Sequence, residues 1–155
     1  MDDRTFRNAM GRFATGVTVI TTKTNDDDIH GMTANAFMSV SLDPKLVTIS
    51  IDHRANMLEK INESEQFSVN ILTYEQKEVS MHFAGQKEME EEVKFEFVQG
   101  VPIIGGSLAS VVCDVHTSYE VGDHTLFIGE VKDIIMNDGE PLTFYSGKYG
   151  KNKID

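Results

Sequence analysis

The sequence predicts a mainly β fold of the α+β type: a small antiparallel barrel, closed or half-closed, with short peripheral helices. Three observations carry this. Six or seven segments rich in Val, Ile, Thr and Phe alternate apolar with polar residues. Turn signals such as Asn25-Asp26-Asp27-Asp28, Gly122-Asp123 and Asn137-Asp138-Gly139 separate several of them. The segments also follow one another as neighbours instead of alternating with helices, which disfavours a parallel βαβ sheet.

The elements follow in order. Asp2 or Asp3 caps a first helix whose apolar residues Phe6, Ala9, Met10 and Phe13 recur at helical spacing. Thr15 to Thr22 is β-branched and reads as a strand. After the Asn25–Asp28 turn, a second strand runs from Ile29 through Gly31, Thr33 and Asn35 toward Met38, forming a hairpin with the first. Val40 to Pro44 turns the chain, and Leu46 to Ile51 is a core strand. Asp52 to Asn56 leads into a short helix with Met57, Leu58 and Ile61 on one face. Phe67 to Leu72 is another strand. Thr73 and Gln76 have capping-box spacing for a helix ending near Gly85. Lys87 to Glu92 is charged and exposed, and Gly100 to Gly106 is a loop around Pro102. Two long strands, Leu108–Val121 and His124–Ile135, flank the Gly122-Asp123 turn. Leu142 to Tyr145 is a last strand before a polar tail.

Composition bounds the function. The 155 residues are 40% hydrophobic and 25% charged, enough for one domain over residues 1–155 with its own core. The formal charge of −11 argues against general binding to nucleic acid or to an anionic membrane, yet leaves room for a small anionic ligand in a local pocket. Cys113 is the single cysteine, so no disulfide framework exists and a reducing compartment is expected. No apolar run approaches the ~20 residues of a membrane span, and the acidic start lacks a signal-peptide pattern. These features point to the cytoplasm. The five histidines form no His-x-x-x-His pair, so no metal site is expected. Gly147-Lys148 lacks the upstream glycine loop of a P-loop, and no nucleophile elbow is present.

Four segments hold candidate chemistry. His30 to Pro44 is dense in small hydrogen-bonding residues. On a continuous strand Thr33, Asn35, Ser39 and Ser41 share one face, either as the wall of a ligand cavity or as a solvent-facing stripe. Gly31 permits close backbone approach. Ser50 to Asn56 joins a strand end to a helix start, where free N–H groups and the side chains of Ser50, His53, Arg54 and Asn56 suit a phosphate; an ordinary cap has the same pattern. Gly122-Asp123-His124 is a turn with an exposed histidine. Phe144 to Gly150 carries aromatics that either stack on a ring or pack the tail.

Taken together, Phe13-Ala14-Thr15-Gly16-Val17-Thr18-Val19-Ile20-Thr21, Gly31-Met32-Thr33-Ala34-Asn35-Ala36-Phe37 and Ser39-Val40-Ser41-Leu42-Asp43-Pro44 resemble the short-chain flavin reductases. Phe83-Ala84-Gly85, Gly122-Asp123-His124 and Ser146-Gly147-Lys148-Tyr149 follow in that family's order. The resemblance spans nearly the whole chain and is nearest to the reductase components of two-component phenol or 4-hydroxyphenylacetate-type monooxygenases. It implies an FMN-binding split barrel and a homodimer with flavin near the subunit interface. It also implies NADH-dependent reduction of FAD, FMN or riboflavin, with diffusible reduced flavin passed to a separate oxygenase of aromatic catabolism.

On this sequence the resemblance implies flavin contacts from Gly31, Met32, Thr33, Ala34, Asn35, Ser39, Val40 and Ser41. Ser50, Ile51, Arg54 and Asn56 would lie near the phosphates, and Phe83, Ala84 and Gly85 would close over the flavin. His124, Ser146, Lys148 and Tyr149 would border the nicotinamide. No catalytic side chain is expected, because hydride passes between cofactors and the protein supplies orientation and electrostatics. Backbone N–H groups around Ser39 to Ser41 would stabilise charge on the reduced ring. Two other readings remain at this level: a non-catalytic flavin-binding sensor or carrier on the same barrel, and a structural β-domain whose acidic surface meets a protein partner.

Overall fold

A computed structural model describes residues 1–153 and 155. The first helix, α1 (Asp3–Met10), starts where Asp2 Oδ1 accepts the Thr5 N–H at 2.7 Å. Its apolar residues are left largely uncovered: Phe6 and Met10 are more than half exposed, and α1 buries no residue.

The expected Thr15–Thr22 strand is two pieces, β1 (Thr15–Gly16) and β2 (Thr18–Lys23), split at Val17. They join different sheets. Chain order continues with β3 (Ile29–Ala34), β4 (Phe37–Leu42), β5 (Lys45–Asp52), α2 (Asn56–Ser64) and β6 (Gln66–Ile71). Then come α3 (Lys77–Phe83), β7 (Phe95–Val98), β8 (Val101–Ile104), β9 (Ala109–Val121), β10 (His124–Met136), β11 (Leu142–Tyr145) and β12 (Lys148–Lys151). The Thr73–Gln76 capping box is present; it caps a short 3₁₀ turn that runs into α3.

All strand pairing is antiparallel. The main sheet has the order β3-β2-β6-β9-β10-β5-β4. Its edge strands are β3 and β4, which are consecutive in sequence and joined only by Asn35-Ala36. Seven flat strands at ordinary spacing would set the edges about 29 Å apart. The chain from Ala34 to Phe37 reaches about 11 Å. The sheet therefore curls until its edges meet at Asn35-Ala36, without hydrogen bonds closing it into a barrel. This corrects the single strand expected from Ile29 to Met38: the stripe of Thr33, Asn35, Ser39 and Ser41 is divided between two edges.

Two further segments differ from expectation. The Gly100–Gly106 loop contains β8, whose Val101, Ile103 and Ile104 are at most 3% exposed. Pro102 fits there because β8 pairs only with β7 and its carbonyl accepts the buried Thr21 hydroxyl at 2.6 Å. The polar tail holds β12, which pairs with β11 in a three-stranded sheet completed by β1.

Inside the curl, Ile20, Ile49, Ile51, Phe67, Val69 and Phe127 pack with Met57 and Ile61 of α2. A side chain at Gly129 would place its Cβ 2.6 Å from the Phe67 ring, so that position on β10 needs glycine. Among the described residues no helix is long and apolar enough to cross a membrane.

Candidate functional site

Where β5 ends, the chain builds a rim rich in unspent donors. Asp52 Oδ1 accepts the Arg54 backbone N–H at 2.8 Å, and the carboxylate grips the guanidinium at 3.2 and 2.9 Å. This grip holds the Asp52 carboxyl far below the usual carboxylate range, first through the side-chain hydrogen bonds of Arg54 and then through its backbone N–H. The Arg54 guanidinium, raised in turn by Asp52, is 86% exposed and keeps N–H groups facing solvent. Next to it α2 begins with Ala55 at the N-cap, which has no side chain to receive the first-turn amides. A Ser, Thr, Asp or Asn there would stabilise the helix by about 1 kcal/mol. The Leu58 N–H turns back to the Ala55 carbonyl at 3.2 Å, and Ala leaves the Asn56 and Met57 amides and the positive helix end open.

Arg54, Ala55, Asn56 and Met57 form one wall of a cavity of about 370 Å³; His30, Gly31 and Met32 of β3 form the other. The close approach that Gly31 permits is made by Phe83: a Cβ at Gly31 would lie 2.5 Å from that ring. Phe83 in turn packs edge-on to His82 and near Phe95.

Farther along β3 lies a smaller cavity of about 190 Å³, bordered by Thr33, Ala34, Asn35, Ser80, Ala84 and Tyr149 among others. Thr33 donates its hydroxyl to the Ser80 carbonyl at 2.6 Å, so its oxygen is already engaged by α3. Asn35 is exposed, with one long hydrogen bond, 3.4 Å to Thr15 Oγ1. Gly85 follows α3 at φ +74° with open space around it.

The other expected residues are dispersed. Ser39, Val40 and Ser41 lie on β4, at the opposite edge, with a bulge between Ser39 and Ser41. Ser50 lines a third, open cavity of about 920 Å³, together with Asn35, Met10, Phe13 and Met38. The Ile51 side chain is wholly buried in the core, where it packs the sheet and presents nothing to a ligand.

His124 sits opposite Asp52 in the β5–β10 ladder, its Nδ1 2.7 Å from Asp123 Oδ1. That contact lowers the Asp123 carboxyl below its ordinary range. The His53 ring is 3.1 Å from Thr125 Oγ1, and the His53 N–H donates to the Asp123 carbonyl, so the two turns are tied together. Ser146 is on the β11–β12 turn instead, where its N–H donates to the Gly11 carbonyl, and Lys148 opens β12. Tyr149 follows on β12. His124 is thus positioned by different elements from the Ser146–Tyr149 segment.

Sequence reasoning missed Asp52 and Asp123 as braces, Ala55 and Met57 as cavity wall, and Ser80. The Asp-x-Arg spacing was a readable signal for the first; Ser80 showed none. Cys113 is sealed in the core, where burial pushes its thiol up to about 12, so it is no nucleophile. Among the described residues no group of three metal-ligating side chains converges.

Comparison with known proteins adds to this geometry. Residues 10–153 match the family model described as flavin reductase like domain. An NADH-dependent flavin reductase of a Rhodococcus species is 48% identical over 145 residues, covering 92% of this chain and 82% of that protein. The reductase component of 4-hydroxyphenylacetate 3-monooxygenase of Thermus thermophilus is 36% identical, covering 93% of each. The solved structure of flavin reductase PheA2 in its native state superposes with a TM-score of 0.96 at 58% identity, covering 99% of this chain and all of that one.

Proposed function

The chain belongs to the flavin reductase-like family, and from that premise we propose that it uses NADH to reduce FAD or FMN and releases reduced flavin to a separate oxygenase acting on a phenol-type aromatic. The observation that carries the reading is the donor-rich cavity between β3 and the start of α2, with an exposed guanidinium and an uncapped helix end.

When bound, the nicotinamide supplies a hydride and the flavin ring accepts it. The protein's residues do the rest. Arg54, Asn56 and the first-turn amides of α2 hold phosphate. Gly31 to Asn35 offer backbone groups along the open edge of β3 to the polar margin of the ring. Those amides of Ser39, Val40 and Ser41 that face the open edge of β4 would stabilise charge that develops on that margin. Ser50 adds a hydroxyl on the wall of the open cavity. Phe83, Ala84 and Gly85 cover the ring and exclude water, while His124, Ser146, Lys148 and Tyr149 border the nicotinamide. No side chain needs to give or take a proton in the hydride step.

The same reading makes residues 1–155 one cytoplasmic domain that acts as a homodimer. The uncovered apolar face of α1 and the large cavity beside it, with Met10, Phe13 and Met38 exposed, support the dimer. In sedimentation the protein should have twice the chain mass.

The test is NADH oxidation by the purified protein with and without added FAD. Turnover that requires flavin is expected. Bound flavin without turnover would move the reading to a carrier, and no flavin affinity would end it.

A further inference from the structure

Ser80 is buried completely in the middle of α3. A helical serine ordinarily turns its hydroxyl back to the carbonyl four residues earlier. Ser80 does not; its Oγ lies 2.7 Å from the Tyr149 hydroxyl, across the gap between α3 and β12. The Ser80 carbonyl also accepts the Thr33 hydroxyl at 2.6 Å. One residue therefore links Thr33 on β3 to Tyr149 on β12, and all three border the 190 Å³ cavity. The Tyr149 ring is held from other sides too: Phe144 packs edge-on at 5.4 Å and the Lys77 ammonium lies 5.7 Å from its centroid. The hydroxyl bond to Ser80 pins the far end of the ring, the one point that these contacts on its body do not hold.

We propose that Ser80 is a positioning residue for the nicotinamide cofactor: it touches neither cofactor, but orients the Tyr149 ring that forms one wall of the nicotinamide pocket. The proposal rests on the placement of Tyr149 at the nicotinamide side. The Ser80 hydroxyl reaches Tyr149, whereas Thr33 is held by the Ser80 carbonyl, so removing the hydroxyl acts through Tyr149 on NADH affinity and spares flavin affinity.

The experiment is a double-mutant cycle on the full chain with Ser80→Ala and Tyr149→Phe, each removing one oxygen. Steady-state kinetics in NADH, flavin affinity by fluorescence quenching, and melting temperature are read for every variant. Ser80→Ala should raise KM for NADH about fivefold, the size of one neutral hydrogen bond, with kcat and flavin affinity changed less than about twofold. Tyr149→Phe should do the same, and the double variant should be no worse than either single one. Ser80→Cys, with similar volume and a weaker donor, should fall between wild type and Ser80→Ala, and it stands in if Ser80→Ala fails to fold. Additive effects, or an unchanged KM in Ser80→Ala and Ser80→Cys, would overturn the proposal. Tyr149→Ala separates the two layers. If it leaves KM for NADH unchanged, Tyr149 is not at the nicotinamide and both ideas fall. If it raises KM while Ser80→Ala does not, only the role of Ser80 falls.

Discussion

Asn70 and Asn35 lie close together in the fold, separated by β2, and they are used in opposite ways. Asn70 on β6 is fully buried, and its side chain is saturated. Its Nδ2 donates to the Val19 carbonyl at 3.0 Å and to Thr21 Oγ1 at 2.9 Å, while its Oδ1 accepts from Ile104 N at 2.9 Å and from Ser110 Oγ at 2.7 Å. Asn35, at the junction of the two sheet edges, has one stretched contact. The same contrast separates the regions around them. In the sheet centre the polar groups of Thr21, Asn70, Ser107 and Ser110 are engaged with one another or with backbone. On the rim, Arg54, Asn56 and the first turn of α2 keep donors open. A buried donor without a partner costs about 1–3 kcal/mol, so a core satisfies nearly all its polar groups, with the Ser68 hydroxyl on β6 the exception here. A binding rim must not, because a donor already satisfied has little to give a ligand.

The largest effect should come from breaking the closed network. Asn70→Ala leaves the Ile104 N–H and the Ser110 hydroxyl without their acceptor. It should destabilise the fold by about 3 kcal/mol, lowering the melting temperature by roughly 6–12 °C. Flavin affinity of the folded fraction should hold. A large loss of flavin affinity without loss of stability would erase the distinction between the two regions.

Arg54→Ala should do the reverse. FAD affinity, read by fluorescence titration, should weaken by about tenfold, the size of one charge-assisted hydrogen bond. Riboflavin, which lacks phosphate, should bind unchanged, and the melting temperature should move little because the Arg54 side chain is exposed. Equal losses for FAD and riboflavin would take Arg54 away from the phosphate.

Smaller effects sharpen the rim. Asn35→Ala should weaken flavin binding about threefold with little change in stability. His124→Ala should raise KM for NADH by a similar factor and spare flavin affinity; the reverse pattern in steady-state kinetics would remove His124 from the nicotinamide side.

The smallest predicted effect is an absence of change. Asp52, whose folded pKa is depressed by Arg54, stays ionised above the unfolded carboxylate range and loses its grip only as pH falls through the lower folded value. FAD, whose diphosphate keeps its charge, should therefore bind with constant affinity from roughly pH 8 to roughly pH 5. A rise in affinity as pH falls through that window would bring a protonated histidine, His30 on the facing wall of the cavity, into the cradle.

These regions were not equally legible in the sequence. Alternation revealed the core strands because burial imposes it: Val47, Ile49 and Ile51 all face inward on β5. It failed at Asn35-Ala36, where the chain passes from one edge of the curled sheet to the other. That closure depends on the whole sheet and leaves no local mark. It failed again at Val101–Ile104, where glycines and Pro102 signalled a loop while the pairing with β7 made a strand. The motifs drew attention to the residues of the rim, including Arg54, Asn56 and Asn35. They could not show that Ile51 points into the core, that Thr33 is bonded to α3, or that Ser39–Ser41 sit across the sheet from Gly31. Asn70 looked in the sequence like any other strand asparagine, since saturation by four partners is a property of packing.

The most direct test of the account is a crystal structure of the protein with FAD. The diphosphate should lie against Arg54 and the first turn of α2, with the flavin ring along Gly31 to Asn35. Flavin seated elsewhere, with the Arg54 and α2 cradle empty, would contradict it.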